Sequence, residues 1–148
     1  MKIAIIGSGI SGMMTAWMLR ERGCEITLFD KQHPGQESSW AGGGIVSPLY
    51  PWRYADSVTR IAKASQAVYP ELVNELKAAS GIDPEYLRSG LLIFSPEEEE
   101  AAQAWGQRWS MDVETVEPPG ISALEPGLVC PESSALWFPD VGQVRNPR

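Results

Sequence analysis

An α/β fold that opens on a parallel strand–turn–helix–strand unit follows from three features of the sequence. Lys2 to Ile6 is a short apolar run rich in β-branched residues, the pattern of a buried strand. Gly7-Ser8-Gly9-Ile10-Ser11-Gly12 follows directly and leads into a helical stretch that Gly23 stops, glycine being favoured just past a helix end. Glu25 to Asp30 is a second apolar strand, and a strand–helix–strand of these lengths forms a right-handed parallel unit.

The first helix is expected over Met13 to Arg22, with Met14, Trp17 and Met18 on one face. Residues 31–53 then read as a long loop. It holds Ser38, Ser39, Gly42, Gly43, Gly44, three prolines (Pro34, Pro48 and Pro51) and the aromatics Trp40, Tyr50 and Trp52, with Tyr54 just beyond. A loop this long inside a compact domain is usually functional or disordered, and its apolar and aromatic content argues for function. From Ala55 to Ala79 apolar residues recur at helical steps; Pro70 is expected to kink or split that helix, and Ser80-Gly81 to end it.

Leu91 to Phe94 reads as a strand. Ser95, Pro96 and Glu98 have the spacing of N-cap, first position and third position of a capping box, so the glutamates at 97–100 read as a dipole-matched helix start. Val113 to Val116 and Ala135 to Phe138 are further strands, joined by an irregular proline-rich loop. Asn146-Pro147 is a helix-opening signal at the very end of the sequence. The chain therefore reads as a truncated product or a fragment of something longer, prone to instability or association when alone.

With 148 residues, the chain is long enough for one domain with a real core. Its net charge of -7 and pI near 4.7 argue against nucleic-acid or anionic-membrane partners. No stretch approaches the ~20 apolar residues a membrane helix needs, and the start lacks a signal-peptide pattern. Cys24 and Cys130 form neither a disulfide framework nor a zinc pattern; two free thiols suit a reducing cytoplasm. His33 lies in a polar loop and reads as solvated.

The glycine run carries the chemistry. Gly7 permits a tight turn off the first strand, Gly9 lets backbone approach a pyrophosphate, and Gly12 lets the helix pack close to the strand. The helix N-terminus offers free N–H groups and partial positive charge to phosphate. Asp30 ends the second strand about twenty residues past the turn, where an acid accepts hydrogen bonds from ribose hydroxyls. An acid there favours FAD or NAD over a 2′-phosphorylated dinucleotide, which it would repel; Lys31 beside it is the one feature against that preference. A nicotinamide domain would continue with alternating helices and strands. This chain instead places a Ser/Gly loop straight after the second strand, which points to FAD.

The run Glu37-Ser-Ser-Trp-Ala-Gly-Gly-Gly-Ile-Val-Ser-Pro-Leu-Tyr-Pro-Trp-Arg-Tyr54 resembles the second flavin-contacting segment of the D-amino-acid oxidase family, above all its glycine oxidases of the bacterial thiamine-biosynthesis type. Tyr69-Pro-Glu-Leu, Ser80-Gly81-Ile-Asp83 and Val144-Arg-Asn-Pro-Arg148 resemble the same family. The resemblance covers the whole chain. It implies a Rossmann-like FAD-binding βαβ unit of the glutathione-reductase type, with flavin loop, over residues 1–85, and part of an antiparallel α+β substrate domain over 86–148. By position, Gly7, Gly9, Ile10 and Gly12 would hold the pyrophosphate and Asp30 the ribose, with Lys31 alongside; Ser38 and Ser39 would meet phosphate or ribityl oxygens, and Ala41, Gly43, Gly44 and Ile45 would line the flavin. Small residues and hydroxyls suit that task, since they solvate an anion and let a ring come close.

The implied activity is oxidative deamination of glycine or another small (D-)amino acid, with hydride transfer to flavin N5 and release of hydrogen peroxide. In such enzymes the substrate-binding arginine and tyrosine come from the C-terminal half, so no catalytic residue is named here, and Arg53 and Arg60 are not taken as carboxylate clamps. No metal is implied. The expected partner is a small amine or amino acid, with a homo-oligomer or a separate C-terminal half as the macromolecular alternatives. A related FAD dehydrogenase, the flavin domain of a tRNA-modifying enzyme, or a non-catalytic nucleotide-binding module are the competing readings. The sequence shows no basic RNA-facing patch for the second of these.

Overall fold

The structure is a computed structural model that describes residues 1–129 and 133–144. It is α/β, and its described residues divide by packing into two compact units, 1–43 and 44–144. That division falls inside the Ser/Gly loop, earlier in the chain than the domain boundary expected near residue 85.

In the first unit β1 (Lys2–Ile6) and β2 (Glu25–Phe29) pair in parallel, with Lys2 opposite Glu25 and Ile6 opposite Phe29. Between them runs α1 (Ile10–Glu21), which starts three residues earlier than the sequence suggested. Gly9 is its N-cap, and Met13 N–H donates to Gly9 O at 3.0 Å, so the last glycine of the run, Gly12, already belongs to the helix. Gly23, with φ of 75°, closes the helix as expected. Met14 and Trp17 are half-buried, but Met18 is exposed. Ile6 and Phe29 are exposed too, and Ser8 is the one buried residue of the unit.

The second unit has a different character. Its main sheet orders β4 (Leu91–Ile93), β6 (Ala135–Phe138) and β5 (Glu114–Val116) antiparallel, the three strands read from sequence. Across that sheet pack α3 (Glu99–Trp109) and the 3-10 turn Pro51–Arg53. Ile93, Ala102, Leu136, Phe138 and Val141 form the core, with Tyr50, Trp52 and Trp105 against it. The ring of Trp52 stacks on Phe138 at 5.9 Å, and Trp105 meets Phe138 edge-on at 6.3 Å. Tyr50 and Trp52 thus serve packing, which corrects the functional weight given to the aromatics of the loop.

Helix α2 (Asp56–Ser80) is continuous. Pro70 does not split it, because proline removes a single backbone donor and twenty-four other residues carry the helix on either side. Gly81 in the left-handed conformation ends it, its N–H donating to Lys77 O. The capping box at Ser95 does not form. Ser95 makes no side-chain cap bond; a 3-10 turn, Pro96–Glu98, intervenes and α3 starts at Glu99. The Glu98 carboxylate instead accepts from Trp52 Nε1 at 2.6 Å and from Arg53 Nε at 2.9 Å. A tertiary partner has outcompeted the local one.

Three elements have no counterpart in the sequence reading. Helix α4 (Pro118–Leu124) lies in the supposed irregular loop, with prolines in its first turn. Strands β3 (Tyr86–Leu87) and β7 (Gln143–Val144) pair antiparallel. Among the described residues no helix is long and apolar enough to cross a membrane. Cys24 is a free thiol; Cys130 and the expected helix opening at Arg145–Arg148 lie outside the described residues.

Candidate functional site

The site begins where β1 ends. Gly7 turns the chain with φ of 98°, a conformation that a side chain would strain although space is open around it. Its N–H donates to Phe29 O at 2.8 Å, so the turn leaves the sheet tied to the end of β2. Gly12 is required for a different reason. A Cβ there would stand 1.9 Å from Gly7 O. The first turn of α1 therefore rides directly on the glycine turn, a close approach that only glycine permits.

Four N–H groups at a helix start lack intrahelical acceptors. One of the four, Ile10 N–H, donates to Ser39 Oγ at 3.0 Å, and a Cβ on Gly9 would stand 3.2 Å from that same oxygen. The Ser/Gly loop thus returns to the helix N-terminus through Ser39. Ser11 and Gly12 N–H groups remain for an anion, helped by the positive end of the helix dipole.

Asp30 stands beside this turn. Its Oδ2 accepts from Ser8 N–H at 2.7 Å and from the Ser8 hydroxyl at 2.6 Å; Oδ1 accepts from Gln32 N–H at 3.1 Å. These donors, the Ser8 hydroxyl foremost and then the Ser8 and Gln32 amides, hold the Asp30 carboxyl far below the usual carboxylate range. Lys31 pairs with Glu37 at 2.7 Å, and that carboxylate raises its pKa. The ammonium is therefore engaged along the loop, which weakens the case for a 2′-phosphate beside Asp30.

Gly7, Gly9, Ile10, Gly12, Asp30 and Ser39 thus come together within the first unit, with Lys31 next to Asp30 in the chain. Ser38, Ala41 and Gly43 lie on exposed loop. Gly44 and Ile45 belong to the second unit, where they pair with the last strand: Val144 N–H donates to Gly44 O at 2.8 Å, and Ile45 bridges Gln143. Gly44 has φ of 80°, and a Cβ on it would meet Val144 O at 2.2 Å. Arg53 pairs with Glu98 and lies over the Tyr50 ring at 3.9 Å, while Arg60 is exposed on α2. Ser8 is the residue that the motif reading passed over. The parallel register of β1 and β2 sets it beside Asp30, and a hydroxyl after the first glycine with an acid after the second strand was the available signal.

The residues fit a dinucleotide: a glycine turn that disfavours side chains, by conformation at Gly7 and by close contact at Gly12, free amides at a helix start, and an ionised carboxylate beside it. This is an α/β protein whose first turn can take a pyrophosphate and a ribose. Residues 2–148 match the family described as FAD dependent oxidoreductase, and the chain belongs to that family. It is 39% identical over 147 residues to the glycine oxidase of Pseudomonas putida, covering 99% of this chain and 40% of that protein. Solved structures of glycine oxidase from Geobacillus kaustophilus (TM-score 0.85, 26% identity, 97% of this chain and 40% of that one) and Bacillus cereus (TM-score 0.83, 27% identity, 99% and 40%) share its fold. The chain spans about 40% of the length of these relatives.

Proposed function

We propose that this chain supplies the FAD-binding part of an oxidoreductase that deaminates glycine or another small (D-)amino acid and releases hydrogen peroxide. The observation that carries the reading is the juxtaposition of the Gly7–Gly12 turn, the start of α1 and the Asp30 carboxylate in a chain of this family. In this reading residues 1–85 are the Rossmann-like, glutathione-reductase-type FAD part and 86–148 the beginning of an antiparallel substrate domain. Gly7, Gly9, Ile10 and Gly12 hold the pyrophosphate through backbone amides, and Asp30 accepts from the adenosine ribose. Ser38 and Ser39 add hydroxyls, and Ala41, Gly43, Gly44 and Ile45 line the flavin. FAD, when bound, supplies a two-electron acceptor for a hydride from the substrate. The protein's part is to bind and orient.

The names of the P. putida, G. kaustophilus and B. cereus relatives support glycine as the first substrate to try. The cytoplasm is the proposed location, and further polypeptide, as a second copy or a C-terminal half, the proposed partner. The test is to add FAD to the purified chain, desalt it, record the visible absorbance, and follow oxygen uptake with glycine. Retained flavin is the expected result, with peroxide formed from glycine once the further polypeptide completes the site. Retained flavin without oxygen uptake, but with dye reduction by amino acids, would favour a related FAD dehydrogenase. A chain that retains no flavin contradicts the binding assignment.

A further inference from the structure

Ser8 is 1% exposed, the most deeply buried polar side chain among the described residues. It occupies a variable position of the glycine turn, so the motif itself assigns it nothing. Yet two of its groups, backbone N–H and hydroxyl, converge on one oxygen of Asp30, at 2.7 and 2.6 Å. Asp30 is exposed. A ligand reaching Asp30 could not reach the Ser8 side chain, so Ser8 can act on binding only indirectly, through the carboxylate or through the turn.

The arrangement divides the two carboxylate oxygens. Oδ2 receives both Ser8 donors; Oδ1 receives the Gln32 amide at a longer 3.1 Å. A carboxylate oxygen has two lone-pair sites, so Oδ1 keeps acceptor capacity that Oδ2 has spent. The two hydrogen bonds from Ser8 also hold the carboxylate in one orientation, so a ligand hydroxyl meets an oriented acceptor and the side chain has little freedom left to lose. The same donors favour the ionised form, which can only accept.

We propose that Ser8 is a positioning residue for nucleotide recognition: by clamping Oδ2 of Asp30 it presents Oδ1 to the ribose hydroxyls of an adenosine diphosphate moiety. The inference rests on the FAD-binding reading above and deepens it by naming what aims the ribose acceptor. A purely structural Ser8, holding the turn against the end of β2, would affect every ligand of the cradle alike. A positioning Ser8 affects only ligands with ribose hydroxyls.

The 148-residue chain is therefore titrated calorimetrically with ADP and with 2′,3′-dideoxy-ADP, as wild type, Ser8→Ala, Ser8→Cys and Asp30→Ala. Cysteine keeps the branching of serine but carries a larger atom and is a weak donor, and circular dichroism checks that each variant is folded. The expected result is that Ser8→Ala and Ser8→Cys weaken ADP about tenfold and leave dideoxy-ADP within about twofold, with Asp30→Ala removing the same preference. Equal loss for both ligands, or no loss for either, in a folded variant overturns the positioning role while sparing the site. A wild-type chain that binds ADP no better than dideoxy-ADP overturns the ribose role of Asp30, and one that binds neither overturns the site itself; the inference falls with either.

Discussion

The two units of the chain are held by different means. In Gly44 onward, Leu136 is 0% exposed and the sheet, α3 and the aromatics Trp52 and Trp105 close over it. In Met1–Gly43 no apolar side chain is buried; Ser8 is, and besides the β1–β2 ladder the long-range links include hydrogen bonds from it and from Gly7 and Ile10. One unit is organised by apolar burial, which is non-directional and tolerant of shape-conserving change. The other is organised by backbone geometry and donors of fixed direction. The lesson is that damage should read out differently: as lost stability in the second unit, as lost ligand in the first.

The largest effect on stability is expected from the core. Leu136→Ala should cost about 2–5 kcal/mol, seen as a lower urea midpoint followed by tryptophan fluorescence. Gly12→Ala tests the other side. With Cβ placed 1.9 Å from Gly7 O, the turn or the helix start must move, and affinity for ADP should fall beyond the roughly tenfold expected of a lost cap or hydrogen bond. If Gly12→Ala binds ADP as wild type does, the cradle is not where the nucleotide sits.

A pH experiment sharpens the comparison within the second unit. Arg53 first, then Trp52, hold the Glu98 carboxyl down to about 2 from 4.5. Its folded pKa is depressed, so its contribution is full above the unfolded value and is lost as pH falls through the window from about 4.5 to about 2. Glu98→Gln should therefore be less stable than wild type at pH 7, with the gap closing toward pH 2. Urea midpoints at several pH values give the answer; a gap independent of pH would mean the ion pair contributes nothing. The smallest effect is expected at Ile6, which is 90% exposed. Ile6→Ser should change stability by less than about 0.5 kcal/mol, and a larger loss in thermal denaturation would show that this strand end is covered.

Much of the first unit was legible because its signals are local. The apolar runs at 2–6 and 25–29, the glycines between them and Gly23 each specify their own backbone. The antiparallel strands of the second unit were legible for the same reason. What escaped was long-range. The pairing of Gly44 and Ile45 with Val144 and Gln143 joins residues about a hundred positions apart and leaves no periodic trace. Glu98 was read as a local cap because spacing alone favoured it, and Trp52 and Arg53, far off in sequence, took it instead. Helix α4 was masked by the prolines that open it. At the site, the glycines and Asp30 were legible as a motif, but the part played by Ser8 needed the register of two strands to be known.

The measurement that bears most directly on the central claim is a competition titration: FAD added to the chain and followed by flavin fluorescence, with and without excess ADP. The account predicts saturable FAD binding that ADP displaces and that Gly12→Ala weakens. FAD binding that ADP leaves untouched, or no saturable binding at all, would contradict the assignment of the Gly7–Gly12 turn and Asp30 as the dinucleotide site.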